Sequence, residues 1–332
     1  MTESIKPDTP PTVSIVLPTY NRAHVLPLAI RSVLDQDFRD FELIIVNDNA
    51  SDNTEEVVRS FEDPRIRYYR NDPNLKLPRT LNRGFSLAHG KYLTWTSDDN
   101  MFAPAAIGAM VAELDSGKAD FVFADYEEFA DTGPEDRPLT GRSVKLPDQP
   151  DMAKGNSIGA CFMYTREVYK HIGDYDPELF LNEDYDYWMR IARQFRLQHI
   201  PRSLYYFRRN EESLYCSRFA EVRAGSLLVR YKNKYLNAER VLQGLVELVV
   251  ANLDKQRNPL LRYSFILCHK TSYRLTNNFR DYMQNLLTKL LRPKVQLILD
   301  HYDAKTIGFN DARKSLSELT NKKAAIEYRS QL

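Results

Sequence analysis

The chain has 332 residues, 43% of them hydrophobic and 27% charged, with 20 Tyr and 16 Phe, a composition that fills one large or two ordinary cores and excludes global disorder. It holds no apolar run of 18 residues, so no spanning helix is expected, and its polar start reads as a disordered lead-in over residues 1–11 rather than a secretory or transit peptide. The net charge of +1 hides an asymmetry: residues 201–332 carry 24 Lys and Arg against 12 Asp and Glu, a balance of +12, which leaves −11 on the first 200. An acidic front and a basic back suit two modules with different partners, or two halves that attract each other. Cys161, Cys216 and Cys268 are too few and too widely spaced for a disulfide framework or a zinc pattern, and are expected as free thiols.

Val13–Leu17 is a β-rich run that Pro18 is expected to end. His24–Asp37 places Val25, Leu28, Ala29, Val33 and Leu34 on a helical stripe. Glu42–Val46 is a second strand of the covered, parallel kind. Asn53–Phe61 reads as a helix with Asp52 or Asn53 as its cap. A third strand follows at Arg65–Tyr69, then a helix over Thr80–Ala88 stopped by Gly90. Lys91–Trp95 is a fourth strand that runs into Ser97-Asp98-Asp99-Asn100, and a helix over Ala105–Leu114 precedes a strand at Phe121–Ala124. This rhythm predicts a doubly wound α/β sheet, whose ligands sit beyond the carboxyl ends of the strands. Thr19-Tyr20-Asn21, Asn47-Asp48-Asn49 and Asp98-Asp99-Asn100 each follow a strand closely and so converge on one rim.

Residues 130–152, with prolines at 134, 138, 147 and 150, predict a mobile loop, either a lid or a surface insertion. Then come a strand near Ala160–Tyr164, a helix from Arg166, a turn at Gly173–Pro177 and a helix over Glu183–Phe195. Beyond residue 214 the pattern is helical, with Val241, Leu242, Leu245, Val246, Val249 and Val250 in one stripe.

Asp98-Asp99 is the central chemical signal. Two adjacent carboxylates are costly to hold together unless a cation joins them. Mn²⁺ or Mg²⁺ bound to a diphosphate is such a partner, and would assist departure of a nucleoside diphosphate. Asp48 suits either a base or ribose contact or a helix cap. Glu183, Asp184 and Asp186 fall in the first turn of a helix, where the dipole favours anions; one of them could instead be a general base. Glu183 and Asp186 lie three apart, whereas Asp184 points elsewhere.

Residues 12–214 resemble the family 2 glycosyltransferases of GT-A fold, and the Asp98-Asp99-Asn100 form is similar to the bacterial spore-coat polysaccharide enzymes among them. The resemblance rests on an ordered set: Ser14–Arg22, Ser32–Gln36, Glu42–Asp48, Arg79 with Asn82-Arg83-Gly84, Ala88–Leu93, Asp98-Asp99, Gly173–Asp176 and Glu183–Asp186. It implies a GT-A sheet with a C-terminal helical appendage over 215–332, and an inverting transfer of sugar from a nucleotide-sugar, UDP-linked above all, to a glycan or lipid-linked acceptor. It also implies roles. Pro18, Thr19 and Tyr20 would shape the nucleoside pocket, Asp48 and Arg79 would contact the base, and Asp98 would hold ribose or donor sugar. Asp99 would ligate Mn²⁺ or Mg²⁺, Asp184 would be the catalytic base, and Glu183 would lie against the acceptor. The setting implied is surface-polysaccharide assembly, in the cytoplasm or at the inner face of the cell membrane.

Two departures stand out. Asn47 occupies a position where many members carry Asp, and Tyr206–Asn210 lacks the His of a Tyr-Arg-x-His segment, so Arg208 or Arg209 would instead grip the diphosphate. The basic tail fits peripheral membrane docking (Arg262–Phe265, Arg292–Leu299), a homodimer or acceptor contact, or a structural cap. No nucleic-acid motif is present. A dinucleotide enzyme would need glycines where Pro18–Arg22 stand, whereas a catalytically silent sugar-nucleotide scaffold on the same fold is the rival reading.

Overall fold

A computed structural model of the chain describes residues 9–133, 138–209, 217–255 and 279–320; Asn210, Cys216, Arg262–Phe265 and Cys268 lie outside the described residues. The contacts divide the chain into two units, Met1–Ser213 and Leu214–Leu332.

In the first unit, β1 (Val13–Thr19), β2 (Phe41–Asn47), β3 (Ile66–Arg70) and β4 (Tyr92–Trp95) lie parallel in the order β3-β2-β1-β4. Helices α1 (Leu26–Leu34), α2 (Thr54–Arg59) and α3 (Leu77–Ser86) connect them. Every residue of β1 and β2 is buried, as a sheet covered on both faces demands. The sheet continues through β8 (Phe162–Thr165), β6 (Phe121–Thr132), β9 (Leu197–Arg208) and β5 (Met101–Phe102), with β8 and β5 antiparallel to their neighbours. Helix α4 (Ala106–Asp115) precedes β6, α5 (Arg166–Ile172) follows β8, and α6 (Glu183–Ala192) precedes β9. Ile15, Leu17, Ala29, Ile30, Leu43, Ile107 and Met110 lie in its core.

Three expectations are corrected. Pro18 does not end β1. The Val16 carbonyl accepts from Thr96 N–H (3.0 Å) and that of Thr19 from Asp48 N–H (2.8 Å), so even-numbered residues of β1 face β4. Pairing with β4 stops at Val16–Trp95, and the missing N–H of Pro18 costs no ladder bond. Helix α3 starts at Leu77, with Pro78 in its first turn where no N–H partner is needed, and ends at Ser86, ahead of Gly90. Residues 130–152 are not one loop: β7 (Pro138–Val144) pairs with β6 as an antiparallel arm. Strand β9 runs through Pro201 by slipping register between Ala124↔Ile200 and Asp125↔Ser203, which leaves Pro201 and Arg202 exposed in a bulge.

The second unit consists, among the described residues, of α7 (Phe219–Lys232), α8 (Ala238–Lys255), α9 (Phe279–Asp303) and α10 (Phe309–Glu318). The whole Val241–Val250 stripe is buried, and Val295 and Leu299 of α9 are buried too, while Leu297 is 58% exposed. Among the described residues no helix is long and apolar enough to cross a membrane.

Gly90 has a steric rather than a helix-stopping role. A Cβ there would meet Ser14 N at 2.4 Å and the Val13 carbonyl carbon at 2.7 Å, both backbone atoms. Gly90→Ala should therefore cost about 2–3 kcal/mol of stability. Urea unfolding reads this directly, and an unchanged midpoint would contradict the packing.

Candidate functional site

The carboxyl ends of β1, β2 and β4 are tied into one rim by their own loops. Asn21 adopts a left-handed conformation (φ 52°), and its Oδ1 accepts from Ser51 N–H (2.8 Å). Asp52 Oδ2 accepts from Ala23 N–H (3.0 Å), while its Oδ1 accepts from Thr54 N–H (3.2 Å), so Asp52 rather than Asn53 caps α2. Asn47 is fully buried and turned into the scaffold: Oδ1 accepts from Ala50 N–H (2.7 Å) and Nδ2 donates to the Tyr68 hydroxyl (2.9 Å).

Asp48 caps no helix. It is 5% exposed and its oxygens are engaged by a neighbouring loop: Oδ1 accepts from Asn71 Nδ2 (2.7 Å) and Leu75 N–H (2.8 Å), Oδ2 from Lys76 N–H (2.9 Å). It thereby fixes residues 71–76 against the end of β2. Arg79, in the first turn of α3, is half-exposed with its guanidinium 3.7 Å from Glu178. Tyr20 is 49% exposed on the same rim, with Pro18 and Thr19 buried or nearly so beneath it.

Asp98 and Asp99 follow β4 and are partly buried. Burial and the adjacent Asp99 charge push the Asp98 carboxyl up to about 7, against the opposing influence of Thr19, Arg22 and the Tyr20 backbone. Burial raises Asp99 as well, and Arg22 and Arg208 oppose the rise. Arg22 Nη1 stands 3.6 Å from Asp99 Oδ2. Arg208, at 9% exposed, donates Nε to the Asp99 carbonyl (3.1 Å) and its N–H to Asn100 Oδ1 (2.8 Å), with its guanidinium 4.5 Å from the Phe129 ring centre. Arg209 is directed elsewhere, to both oxygens of Glu128 at 3.0 Å.

The three acids of α6 separate as helical geometry requires. Asp186 is fully buried in an ion pair with Arg190 (2.9 Å), and Glu183 is buried. Asp184 is partly exposed; Oδ2 accepts from Asn156 Nδ2 (3.0 Å), and Oδ1 from Tyr185 N–H (2.6 Å). Burial pushes its carboxyl up and these two hydrogen bonds pull it down. Trp95, three residues before Asp98, donates Nε1 to the Tyr175 hydroxyl (3.1 Å), and Tyr175 feels the charge of Asp184. Asn82 holds this turn, exchanging both its amide atoms with the Tyr175 backbone (2.8 and 2.9 Å). Tyr175 also stacks on Tyr187 of α6 at 4.0 Å between ring centres, so the helix is linked to the end of β4.

Asp98 and Asp99 suit a hard divalent cation: they offer carboxylate oxygen, and their burial leaves negative charge poorly solvated. Among the described residues no three His, Cys, Asp or Glu side chains gather as a metal site on their own. Phosphate oxygens and water would complete such a cation's shell. Two residues here were not singled out from sequence. Arg22 follows the first rim cluster directly and was visible there; Asn156 carries no local signal and is brought to Asp184 only by the fold.

Two sets of substitutions follow from these contacts. Asp48→Ala strands three donors and should cost about 2–4 kcal/mol in urea unfolding. Arg208→Ala, which removes a nearly buried guanidinium from the Asp99 and Ala130 carbonyls, should cost about 2–3 kcal/mol of stability, whereas Arg209→Ala, breaking an exposed pair, should change stability by less than about 1 kcal/mol. Urea unfolding of the two variants side by side separates them.

Residues 14–173 match the model of Glycosyl transferase family 2. A GalNAc(5)-diNAcBac-PP-undecaprenol beta-1,3-glucosyltransferase from Campylobacter jejuni is 35% identical over 112 residues, covering 33% of this chain and 36% of that one. The chain spans about a third of the length of that relative and of two Rickettsia relatives 30% identical to it. Among solved structures, S. aureus TarS 1-349 in complex with UDP has a TM-score of 0.53 at 17% identity, covering 97% of this chain and 92% of that one. The Pyrobaculum calidifontis mannosyltransferase PcManGT with GDP-Man and Mn²⁺ has a TM-score of 0.55 at 15% identity, covering 86% and 88%. These likenesses show the GT-A fold with C-terminal helices, and the match over residues 14–173 places that segment of the chain in glycosyl transferase family 2.

Proposed function

We propose that the chain transfers a sugar from a nucleoside-diphosphate sugar, UDP-linked, to a glycan or lipid-linked acceptor, with inversion at the anomeric carbon. Residues 12–214 would be the catalytic domain, and 215–332 a helical region serving acceptor, membrane or homodimer contact. The observation that carries this reading is the pair Asp98-Asp99 at the end of β4, partly buried, with Arg22 and Arg208 as its cationic neighbours. An anionic pair flanked by guanidinium groups suits a diphosphate and the cation that accompanies it. The UDP bound to S. aureus TarS, the Mn²⁺ bound to PcManGT, and the undecaprenol-linked substrate of the Campylobacter jejuni glucosyltransferase point the same way.

In this reading Tyr20 lies against the base, and Pro18 and Thr19 wall the nucleoside. Asp48 shapes the base pocket through the loop it holds, with Arg79 at its mouth. Asp98 takes ribose or donor-sugar hydroxyls, and Asp99 holds Mn²⁺ or Mg²⁺, which would neutralise charge building on the departing diphosphate. Arg22 and Arg208 add fixed positive charge beside that group. Asp184 accepts the proton of the acceptor hydroxyl as its oxygen bonds the anomeric carbon and the sugar–phosphate bond breaks on the opposite face. Glu183 borders the acceptor. A lipid-linked acceptor would place the protein at the inner face of the membrane.

A panel of uridine, guanosine and thymidine diphosphate sugars with Mn²⁺ tests this. One donor should be consumed, consumption should stop with EDTA, and Asp99→Ala should lose at least about 100-fold. Asp184→Asn should lose about 100- to 10,000-fold in turnover with UDP affinity preserved. Nucleotide binding without any turnover would favour a catalytically silent scaffold, and an EDTA-resistant rate would remove the cation from the mechanism.

A further inference from the structure

We propose that Asn156 is a positioning residue for the Asp184 carboxylate, orienting it and favouring its anionic form; this rests on the reading of Asp184 as the base. Asn156 lies in the segment between β7 and β8, and that segment is fastened to the sheet along its length. Leu146 N–H donates to Asp125 Oδ1 (2.8 Å), and Lys145 Nζ stands 3.3 Å from Asp125 Oδ2. His199, buried on β9 and stacked on Phe123, bridges Asp125 (2.8 Å) and Asp148 (2.7 Å) through its two ring nitrogens. Further along, the Met152 carbonyl accepts from the Tyr185 hydroxyl (2.6 Å), and Cys161 O accepts from Ala124 N–H (3.0 Å).

Within that strap the Asn156 amide has a set orientation. Its Oδ1 faces Ile158 N–H (3.4 Å), so its NH₂ is the end presented to Asp184 Oδ2 (3.0 Å). A donor-only contact of this kind stabilises a carboxylate more than a carboxylic acid. It acts against burial, which favours the neutral form that cannot take a proton. The Tyr185 N–H shares this work on the other oxygen, but it belongs to the residue next in sequence and cannot report on the strap. Asn156 therefore couples the seating of the strap to the protonation of Asp184. Loss of the donor raises the Asp184 titration, so activity carried by the anion falls on the acid side and is unchanged on the alkaline side.

The test is the titration of the Asp184 carboxyl carbon by NMR on the full chain labelled at aspartate, its signal identified by disappearance in Asp184→Asn. Asn156→Ala should raise the midpoint by roughly 0.5–1 pH unit, equivalent to a three- to tenfold loss of the anion on the acid side. Asn156→Asp sets a second carboxyl against the first, and the pair should titrate in two steps with the upper one higher still. Asn156→Gln, which retains the donor, should return the midpoint part of the way. An Asp184 midpoint identical in wild type, Asn156→Ala and Asn156→Asp overturns the proposal, even if Asn156→Ala is less stable. Turnover of the consumed donor by Asp184→Asn at the wild-type rate would instead overturn the assignment of the base, whatever the titration shows.

Discussion

Asp98 and Asp99 are adjacent carboxylates in a place where water reaches them only in part. Burial and mutual repulsion both disfavour their charge, and the fold has to supply what solvent does not. Arg22 from the loop after β1 and Arg208 from the end of β9 converge on Asp99 from opposite ends of the unit's sequence. That convergence requires β1, β4 and β9 to end on one rim, which in turn requires the parallel sheet and its register.

The rest of the rim is scaffold of unusual polarity. Asn47, Asp48 and Asn82 use side-chain oxygens and amides to satisfy backbone groups of neighbouring loops, which keeps those loops in one conformation where no ladder can. Rigid loops on a covered sheet present exposed groups such as Tyr20 and Arg79 at fixed positions. The aromatic stack of Phe85, Tyr175 and Tyr187 does similar work between α3 and α6: Tyr175 lies 4.0 Å from Tyr187, ring centre to ring centre, and stacks on Phe85 at 5.9 Å. Asp184 begins the same helix as Tyr187, so the aromatic packing sets where the carboxylate stands.

The acidic first turn of α6 illustrates how one helical segment divides its labour. Glu183 and Asp186, three apart, share the inward face of the axis, whereas Asp184 points away from it, so their surroundings differ. Asp186 turns inward to Arg190 and serves packing; Glu183 is buried; Asp184 reaches the partly exposed side beside the strap.

Much was readable from the chain alone. Strands β1, β2 and β4 are apolar runs followed by polar clusters, and the helices between the strands show 3.6-residue periodicity, so alternating elements, parallel sheet and rim followed from local pattern. The Val241–Val250 stripe was legible for the same reason. Where the pattern misled, a neighbour had overridden local preference. Pro18 stays in β1 because its N side faces no strand, and β7 forms because β6 is there to pair with it. Asn156 could not be found at all from sequence: 28 positions separate it from Asp184, and an exposed asparagine in a Pro- and Gly-rich segment has no periodicity to betray it. Local sequence therefore determined which polar clusters follow which strands and so reach the rim. The tertiary structure decided which charges face one another and which stay solvated, because burial and Coulomb interactions depend on distance in space, and the chain sets distance only along itself.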